Sequence, residues 1–360
     1  MNMKNLLYVL LILFISCNKS EKLNNNQVIA YYAGDGDSIE EFNLNGVDQL
    51  IYSFLHLKGN KLAIDNEKDS ITLLNITKQK NKYPNLKVLV SLGGWGGCET
   101  CSDIFNTKQG RDEFAKSAAN IIDFYNADGI DLDWEYPAIS GYPGHKFQEL
   151  DRDNFTDLIR LLRKYMKKND VLSFAAGGSG RFIDNSIDWK AVVPLVDNIN
   201  IMSYDFVGSG SKKTGHHTSL LSTNEQNRSA DFAIKYLIEK GIPSYKIIIG
   251  AAFYIKTFKD VSDINNGIFQ EATYNKSYNQ INFGDVKDNF EFFWDSVAKA
   301  PYAYDSKNKI FATFDDKKSI SLKAKYAKEN NLGGIMFWQL MNDKKSDGLL
   351  KTMVNEMKGY

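Results

Sequence analysis

The stretch Asp128-Gly-Ile-Asp-Leu-Asp-Trp-Glu-Tyr-Pro137 alternates acidic and apolar residues. Successive side chains of a β-strand point to opposite faces, so Asp131, Asp133 and Glu135 would share one face and the apolar residues between them the other. The run is short, contains an early glycine and stops at a proline, which favours a strand over a helix. Its carboxyl groups would stand about 7 Å apart from one to the next.

Carboxyl groups at this spacing in a poorly solvated site cannot all stay ionised, so at least one pKa is expected to rise strongly. The pattern predicts a proton-transfer site, with Glu135 as the acid and Asp131 and Asp133 tuning it. A solvated strand face and a divalent-metal site are the alternatives. The neighbouring apolar strands argue against the first, and metal ligands of this kind usually come from a flexible loop. Neither a metal nor a cofactor is expected.

Eight apolar segments are candidates for strands. They are Val28–Ala33, Gln49–Leu55, Leu86–Leu92, Gly129–Glu135, Val171–Ala176, Asn198–Tyr204, Lys246–Phe253 and Gly333–Trp338. Segments with apolar residues at three- and four-residue spacing separate most of them, as in helices. These are Lys68–Lys82, Gln109–Asn126, Phe155–Lys168, Glu225–Lys240 and Ser319–Asn330, with Asp347–Met357 as a closing helix. The alternation predicts an α/β protein with the fold of a (β/α)8 TIM barrel.

One interval is too long for this alternation. The seventh strand candidate ends near Tyr254 and the eighth begins at Gly333. After the helix before strand eight is subtracted, residues 258–308 remain, and they are rich in Tyr, Phe, Asn and Asp. A small inserted lobe fits this segment better than an unstructured loop. The barrel would then comprise residues 27–257 and 309–360.

The first residues have the pattern of a targeting segment. Lys4 precedes an apolar run, Leu6–Ile15, which is too short to span a bilayer and has the size of a signal core. A small residue and then Cys17 follow, and this resembles a bacterial lipobox. Residues 1–17 are therefore expected to be a lipoprotein signal peptide, with a polar tether at 18–26. The protein would be exported and lipid-anchored to the cell envelope, at the outer membrane or cell surface; a plain secretory signal is the alternative.

The composition limits the classes of function. Lys and Arg together number 44, as do Asp and Glu, so the formal net charge is zero and a nucleic-acid partner is not indicated. Besides Cys17 the chain contains Cys98 and Cys101, which in an exported protein favour a local disulfide. With four His residues and no second Cys pair, a four-ligand zinc site is poorly supported.

Aromatic residues gather where the strand candidates end. They are Tyr31, Phe54, Trp95, Tyr136, Tyr204, Tyr254 and Trp338. The active site of a TIM barrel lies at the carboxyl ends of its strands, which is where the acidic stretch also ends. Aromatic faces pack well against sugar rings, so this arrangement favours a carbohydrate cleft with carboxyl groups at its centre.

Three motifs resemble those of glycoside hydrolase family 18, the chitinases and their relatives. Asp128-xx-Asp131-x-Asp133-x-Glu135 is similar to the catalytic signature of that family. Ser91-x-Gly93-Gly94 resembles its second motif, Met202-x-Tyr204-Asp205 its third, and Trp338 its strand-eight tryptophan. The resemblance covers nearly the whole mature chain. It implies a TIM barrel whose inserted lobe is the small α+β insertion of the processive and exo-acting branch.

The resemblance implies a chitinase that cleaves β-1,4 linkages between N-acetylglucosamine units with retention, using the 2-acetamido oxygen of the substrate as nucleophile. The residues agree, because Asp133 and Glu135 lie on one strand face, whereas ordinary retaining enzymes flank the bond with two carboxylates about 5 Å apart. By the same resemblance Glu135 is the general acid and then the base. Asp133 hydrogen-bonds the acetamido N–H, Asp131 shares a proton with Asp133, and Tyr204 and Asp205 hold the acetamido group.

The resemblance also assigns residues that bind the sugar. Met202 would line the floor of the subsite and Trp338 would stack under the sugar before the cleavage point. Further contacts are expected from Tyr31, Phe54, Trp95, Tyr136 and Lys256. The chain departs from the family at Val207, where a His is common, and at Lys256, where an Arg is usual. Lysine supplies charge but not a planar bidentate fork, so sugar contacts on that side are open.

Three other functions use the same residues differently. An endo-β-N-acetylglucosaminidase acting on N-glycans shares the chemistry, but that branch typically lacks the inserted lobe. A non-catalytic chitin-binding lectin typically loses the acid that Glu135 supplies here. A surface lipoprotein that captures oligosaccharides would not need three buried acids. The partners expected are chitin or its oligosaccharides, with a membrane contact through the lipid anchor only, and the protein is expected to be a monomer.

Overall fold

The structure is a computed structural model, and it describes residues 26–279 and 287–359. The strands in these residues are β1 (Gln27–Tyr32), β2 (Gln49–Lys58), β3 (Lys61–Ala63), β4 (Lys87–Gly93), β5 (Gly129–Asp133), β6 (Val171–Gly177), β7 (Asn198–Met202), β8 (Ile247–Ala252), β9 (Tyr254–Lys259), β10 (Thr273–Asn279), β11 (Glu291–Asp295), β12 (Ala300–Asp305), β13 (Ile310–Thr313) and β14 (Gly334–Trp338). The α-helices are α1 (Glu67–Lys82), α2 (Cys101–Phe105), α3 (Lys108–Phe124), α4 (Asp151–Tyr165), α5 (Gly180–Asn185), α6 (Trp189–Val192), α7 (Ala230–Glu239), α8 (Lys317–Glu329) and α9 (Leu349–Lys358).

Eight parallel strands close into a barrel. Their order is β1-β14-β8-β7-β6-β5-β4-β2, and β2 returns to β1, where Ile29 pairs with Gln49 and Ala30 with Leu50. These strands correspond to the eight apolar segments of the sequence, and helices lie between most of them. The predicted (β/α)8 TIM barrel is confirmed.

The barrel strands are buried on both faces, which is typical of a parallel sheet covered by helices. No residue of β1, β6 or β8 is exposed. Inside the barrel, Ile29, Ile51, Leu89, Ile248 and Met336 form one apolar cluster. This cluster fills the interior with aliphatic side chains, so the polar residues of the barrel lumen lie against an apolar floor.

The helices cover the outer face of the barrel through apolar stripes at helical spacing. In α4, Phe155, Leu158, Ile159 and Leu162 are buried against the strands. Each such side chain contributes about 1.5–3 kcal/mol on burial. The helix predicted from Glu225 instead begins at Ala230, because the Ser229 side chain accepts a hydrogen bond from the backbone N–H of Phe232 and caps its first turn.

A second sheet interrupts the barrel between β8 and β14. It has five antiparallel strands in the order β10-β9-β13-β12-β11. Its described elements are strands and short 3-10 turns, and its core contains Phe258, Val261, Tyr302, Tyr304 and Phe311. We call residues 254–313 the lobe.

The lobe is longer at both ends than the predicted range of 258–308. Lys256 pairs with Ser277 and Thr313 inside the lobe sheet, so the residues just before 258 and just after 308 do not belong to the barrel. The reason lies at Phe253, which alone separates β8 from β9. Across it the apolar pattern continues, and the sequence reads as one strand where the structure has two.

The predictions that concern export are the signal peptide with its lipid anchor and the disulfide. The predicted signal peptide, Cys17 and residues 18–25 of the tether lie outside the described residues. Within the described part of the chain, no helix has the length and apolar character needed to cross a bilayer. A disulfide joins Cys98 to Cys101 in the segment after β4, with Cα atoms 5.2 Å apart.

Candidate active site

Asp131 lies in the centre of the barrel and is fully buried. The parallel register places Ser91 of β4 and Ser173 of β6 on either side of it. Its carboxylate accepts hydrogen bonds from the hydroxyls of Tyr31 (3.0 Å), Ser91 (3.2 Å) and Ser173 (2.6 Å) and from Nδ2 of Asn200 (3.1 Å). Burial raises the pKa of Asp131, and these four donors partly offset the rise.

Tyr31 was predicted to contact the sugar, and the structure corrects this. Its side chain is 2% exposed, and its hydroxyl is committed to Asp131 beneath the cleft. A strand-end position does not reveal whether a side chain points into the barrel or toward its mouth. Tyr31 therefore holds Asp131 and does not line the cleft.

Asp133 is the last residue of β5, and Glu135 follows it beyond the end of the strand; both line the cleft at the mouth of the barrel. Burial, followed by the charges of Glu135 and Asp131, raises the pKa of Asp133 well above its usual value. The Oδ1 atom of Asp133 is buried and has no hydrogen-bond partner among the described residues. Burial, with a contribution from the charge of Asp205, raises the pKa of Glu135 to about 7. Glu135 therefore carries a proton at slightly acidic pH and can give it to a bound molecule.

The acids open into a cleft of about 820 Å³ at the carboxyl ends of the strands. Most of the predicted site residues line it together, namely Phe54, Trp95, Asp133, Glu135, Tyr136, Met202, Tyr204, Asp205, Lys256 and Trp338. A cleft of this size accommodates several sugar rings or a drug-sized ligand. The structure thus brings ten residues from six separate regions of the sequence to one surface.

One wall of the cleft is aromatic. The rings of Phe54 and Trp338 are nearly parallel, at 16°, with centroids 5.4 Å apart. Trp95 is 58% exposed and meets the edge of Tyr142, with centroids 5.5 Å apart. An exposed tryptophan held by a neighbouring ring offers a fixed apolar surface, which suits a flat sugar ring.

A second part of the cleft wall is charged and centres on Asp205. The Tyr254 hydroxyl donates to its Oδ1 at 2.5 Å, and Lys256 Nζ lies 2.6 Å from the same oxygen. Burial would raise the pKa of Asp205, but the nearby His217 and the charge of Lys256 outweigh it and hold that pKa well below its usual value. Asp205 is therefore ionised where Glu135 is protonated. Lys256 stands where the family usually has an Arg, and its ammonium group forms an ion pair with Asp205.

The sequence missed several residues of the cleft. They are Ser140, Gly141, Ser209, Tyr274, Ser277, Tyr278, Asn279 and Asn342. Tyr254, one of the strand-end aromatics of the sequence, also lines the cleft. The residues of β10 had no signal in the sequence, because the face that a lobe strand turns to the cleft depends on a register that the local pattern does not contain.

The raised pKa of Glu135 predicts the pH dependence of any reaction that uses its proton. Because the acid form is the active one, the rate should fall tenfold per pH unit above a midpoint near 7. Asp205 should contribute no acid limb in this range, because its pKa is lowered. The measurement is kcat/KM from pH 4 to 9. A rate that rises through pH 7 would contradict this assignment, since it would require an ionised group in place of the acid.

Comparison with known proteins places these features in one family. Residues 27–343 match the sequence profile of the family described as Glycosyl hydrolases family 18. Chitinase A1 of Niallia circulans is 32% identical over 322 residues, which are 80% of this chain and 44% of that protein.

Solved structures agree with this match. Chitinase ChiW from Paenibacillus sp. superposes with a TM-score of 0.84 at 32% identity, over 92% of this chain and 42% of that chain. A family 18 N-acetylglucosaminidase from Paenibacillus barengoltzii superposes with a TM-score of 0.83 at 29% identity, over 92% of this chain and 100% of that chain. The chain thus spans less than half of Chitinase A1 and of ChiW, and the full length of the third protein. The chain belongs to glycosyl hydrolase family 18.

Proposed function

We propose that this chain hydrolyses β-1,4 linkages between N-acetylglucosamine units of chitin or of its oligosaccharides. The observation that carries the proposal is the position of Glu135, whose pKa burial raises to about 7, at the mouth of a buried carboxyl series and on a cleft with one aromatic and one charged wall. Membership of the family and the names of its chitinase relatives support it.

The first chemical step needs an acid and a nucleophile. Glu135 donates its proton to the glycosidic oxygen while the carbonyl oxygen of the 2-acetamido group attacks the anomeric carbon. The bond to the leaving sugar breaks, and a cyclic oxazolinium ion forms. Asp133 supports this step, because its unpartnered Oδ1 can accept a hydrogen bond from the acetamido N–H and stabilise the positive charge. Asp131, held by four donors, lies behind it, and its charge helps to raise the pKa of Asp133.

In the second step, the Glu135 carboxylate removes a proton from water as the water attacks the anomeric carbon. The oxazolinium ring opens, and the product has the starting anomeric configuration. Asp205 is an unsuitable nucleophile for the first step, because Tyr254 and Lys256 both bind its Oδ1 and lower its basicity. Its negative charge instead suits it to orient the acetamido group and to keep Glu135 protonated.

Two contacts suit this substrate. The stacked rings of Phe54 and Trp338 present an apolar platform for the sugar that carries the acetamido group. Trp95 stands exposed at the mouth and can receive a further ring. A lectin could use the same aromatic surfaces, but it would not require a carboxyl group whose pKa is raised toward neutrality.

Product analysis on chitin oligomers beside a high-mannose glycoprotein tests the proposal. We expect chitopentaose to be cut into shorter oligomers that first appear as the β-anomer by NMR, while the glycoprotein stays intact. Release of the glycan with intact oligomers would favour the endo-β-N-acetylglucosaminidase. Monosaccharide as the sole early product would favour an N-acetylglucosaminidase, the activity in the name of the Paenibacillus barengoltzii relative. Binding without cleavage would favour a lectin.

We also propose that the protein is exported and anchored to the bacterial envelope through a lipid on Cys17, as a monomer. The apolar run Leu6–Ile15 followed by a small residue and Cys17 supports this. Mass spectrometry of the membrane fraction should find the mature N-terminus at Cys17 with acyl chains attached. Changing Cys17 to Ser should release the protein to the soluble fraction. A wild-type protein recovered soluble and unmodified would contradict the anchor.

A further inference from the structure

The segment His216-His217-Thr218, in the loop between β7 and α7, contacts the lobe. His216 Nε2 lies 3.0 Å from Oδ2 of Asp295, at the end of β11. The backbone N–H of His217 donates to Oγ1 of Thr313 in β13, at 3.0 Å. The Thr218 hydroxyl donates to Oδ2 of Asp315, which lies two residues after the end of the lobe, at the lobe exit, at 2.9 Å. All three residues of the segment therefore contact the lobe or the chain that leaves it. The lobe therefore fixes the position of this segment.

The same segment also contacts the loop that carries Asp205. The carbonyl oxygen of His217 accepts a hydrogen bond from the backbone N–H of Phe206 at 3.1 Å. Its ring packs on Tyr254, with centroids 5.1 Å apart, and its Nδ1 lies 3.6 Å from Oδ1 of Asp205. His217 is fully buried, and neither ring nitrogen has a hydrogen-bond partner among the described residues. A buried polar ring without a partner is costly unless it serves a purpose.

Asp205 needs to be held. Its φ is +59°, in the left-handed region that a non-glycine residue adopts at a cost. Its carboxylate contacts Tyr254, Lys256 and His217 through Oδ1. The side chain is nevertheless 51% exposed and lines the cleft, so a ligand there can reach the carboxylate.

We propose that His217 is a positioning residue for Asp205, which links the placement of the lobe to the orientation of this carboxylate in the cleft. The proposal rests on the proposed function, because orientation matters only if Asp205 holds the substrate. The ring of His217 closes the space behind Oδ1 and prevents the carboxylate from turning away from the cleft. Its Nδ1, 3.6 Å from Oδ1, lies just beyond hydrogen-bond length, and a small movement of Asp205 toward the ring would close the gap.

Burial keeps the ring of His217 neutral, against the pull of the carboxylates around it. Asp205 and Lys256 face it from the cleft side, Asp315 from the side of the lobe exit, and Tyr254 covers its face. Burial lowers the pKa of His217, and the two carboxylates only partly offset this. His217 therefore acts as a fixed neutral donor, and its own titration should not appear above pH 6.5.

The test compares three substitutions of His217 in the full chain, with chitin oligomers as substrate. Asn places an amide nitrogen where Nδ1 stands, Gln places one nearer Nε2, and Leu supplies neither. We expect His217→Leu and His217→Gln to lower kcat about 10- to 100-fold with a smaller change in KM, as for a misplaced catalytic contact. His217→Asn should recover most of the rate. The alkaline limb of kcat/KM should move to lower pH in the Leu variant, because Asp205 then raises the pKa of Glu135 less.

His216→Leu is the matched control, because it removes one contact between the segment and the lobe, while the bonds from His217 to Thr313 and from Thr218 to Asp315 remain. It should lower the melting temperature and shift the alkaline limb less than His217→Leu does. Equal losses in the Asn and Gln variants, or an unmoved limb in the Leu variant, would overturn the proposal. If the Leu variant does not fold, the comparison of Asn with Gln decides. An inactive wild-type chain would instead refute the proposed function, so the two failures are distinct.

Discussion

Replacing Glu135 by Gln is expected to lower hydrolysis of chitin oligomers by about a thousandfold or more, which is the range for loss of a general acid. The substitution keeps the shape of the side chain but removes the proton that leaves and returns during the reaction. It also removes a charge that, together with burial and Asp131, raises the pKa of Asp133. Oligosaccharide binding should survive, because Phe54, Trp95 and Trp338 are untouched. Single-turnover kinetics and calorimetric titration with the same oligomer measure the two quantities separately.

Glu149→Gln provides the matched control, since Glu149 is exposed and lies in the segment between β5 and α4. It should retain the parent rate. Turnover by Glu135→Gln within a few-fold of the parent would remove Glu135 from the reaction and, with it, the proposed mechanism. Loss of both turnover and binding would point to a misfolded cleft, which the melting temperature would reveal.

The barrel and its acids could be predicted because both follow from local patterns. Strands buried on two faces require nearly continuous apolar runs, and eight such runs alternate with helical segments. The acid face of β5 follows from the period of two, and its pKa shifts follow from placing like charges in a buried site. The mouth of the barrel at Glu135 then follows from the rule that active sites lie at the carboxyl ends of the strands.

The bounds and strand pairing of the lobe, and the contacts within the charged wall of the cleft, could not be predicted, because they depend on contacts between distant residues. Tyr31 and Phe54 look alike as strand-end aromatics, yet the first is buried under Asp131 and the second lines the cleft. His217 meets Asp205 where the backbone N–H of Phe206 donates to the carbonyl oxygen of His217, and Thr313 of β13 holds the same residue from the lobe. Neither contact has a signal in the local sequence around His217.

The second large effect concerns the substrate. A chitin oligomer that lacks one acetyl group should not be cut at the bond after the deacetylated unit, with a loss of at least about a thousandfold, because an intramolecular nucleophile can supply an effective concentration of 10⁵ M or more. Removal of the acetyl group takes away the carbonyl oxygen that attacks the anomeric carbon. Oligomers with a single deacetylated unit at a known position, analysed by mass spectrometry, give the cleavage pattern directly.

The same oligomers contain their own control, since bonds that follow acetylated units should be cut at the normal rate. Competitive inhibition by the deacetylated oligomer would show that it still binds, which separates loss of chemistry from loss of affinity. Efficient cleavage after a deacetylated unit would require a nucleophile from the protein, and Asp205 is the remaining ionised carboxylate of the cleft. That outcome conflicts with the placement of Tyr254 and Lys256 on its Oδ1, because both contacts lower its nucleophilicity. The cleavage pattern therefore decides whether the charged wall orients the substrate or attacks it.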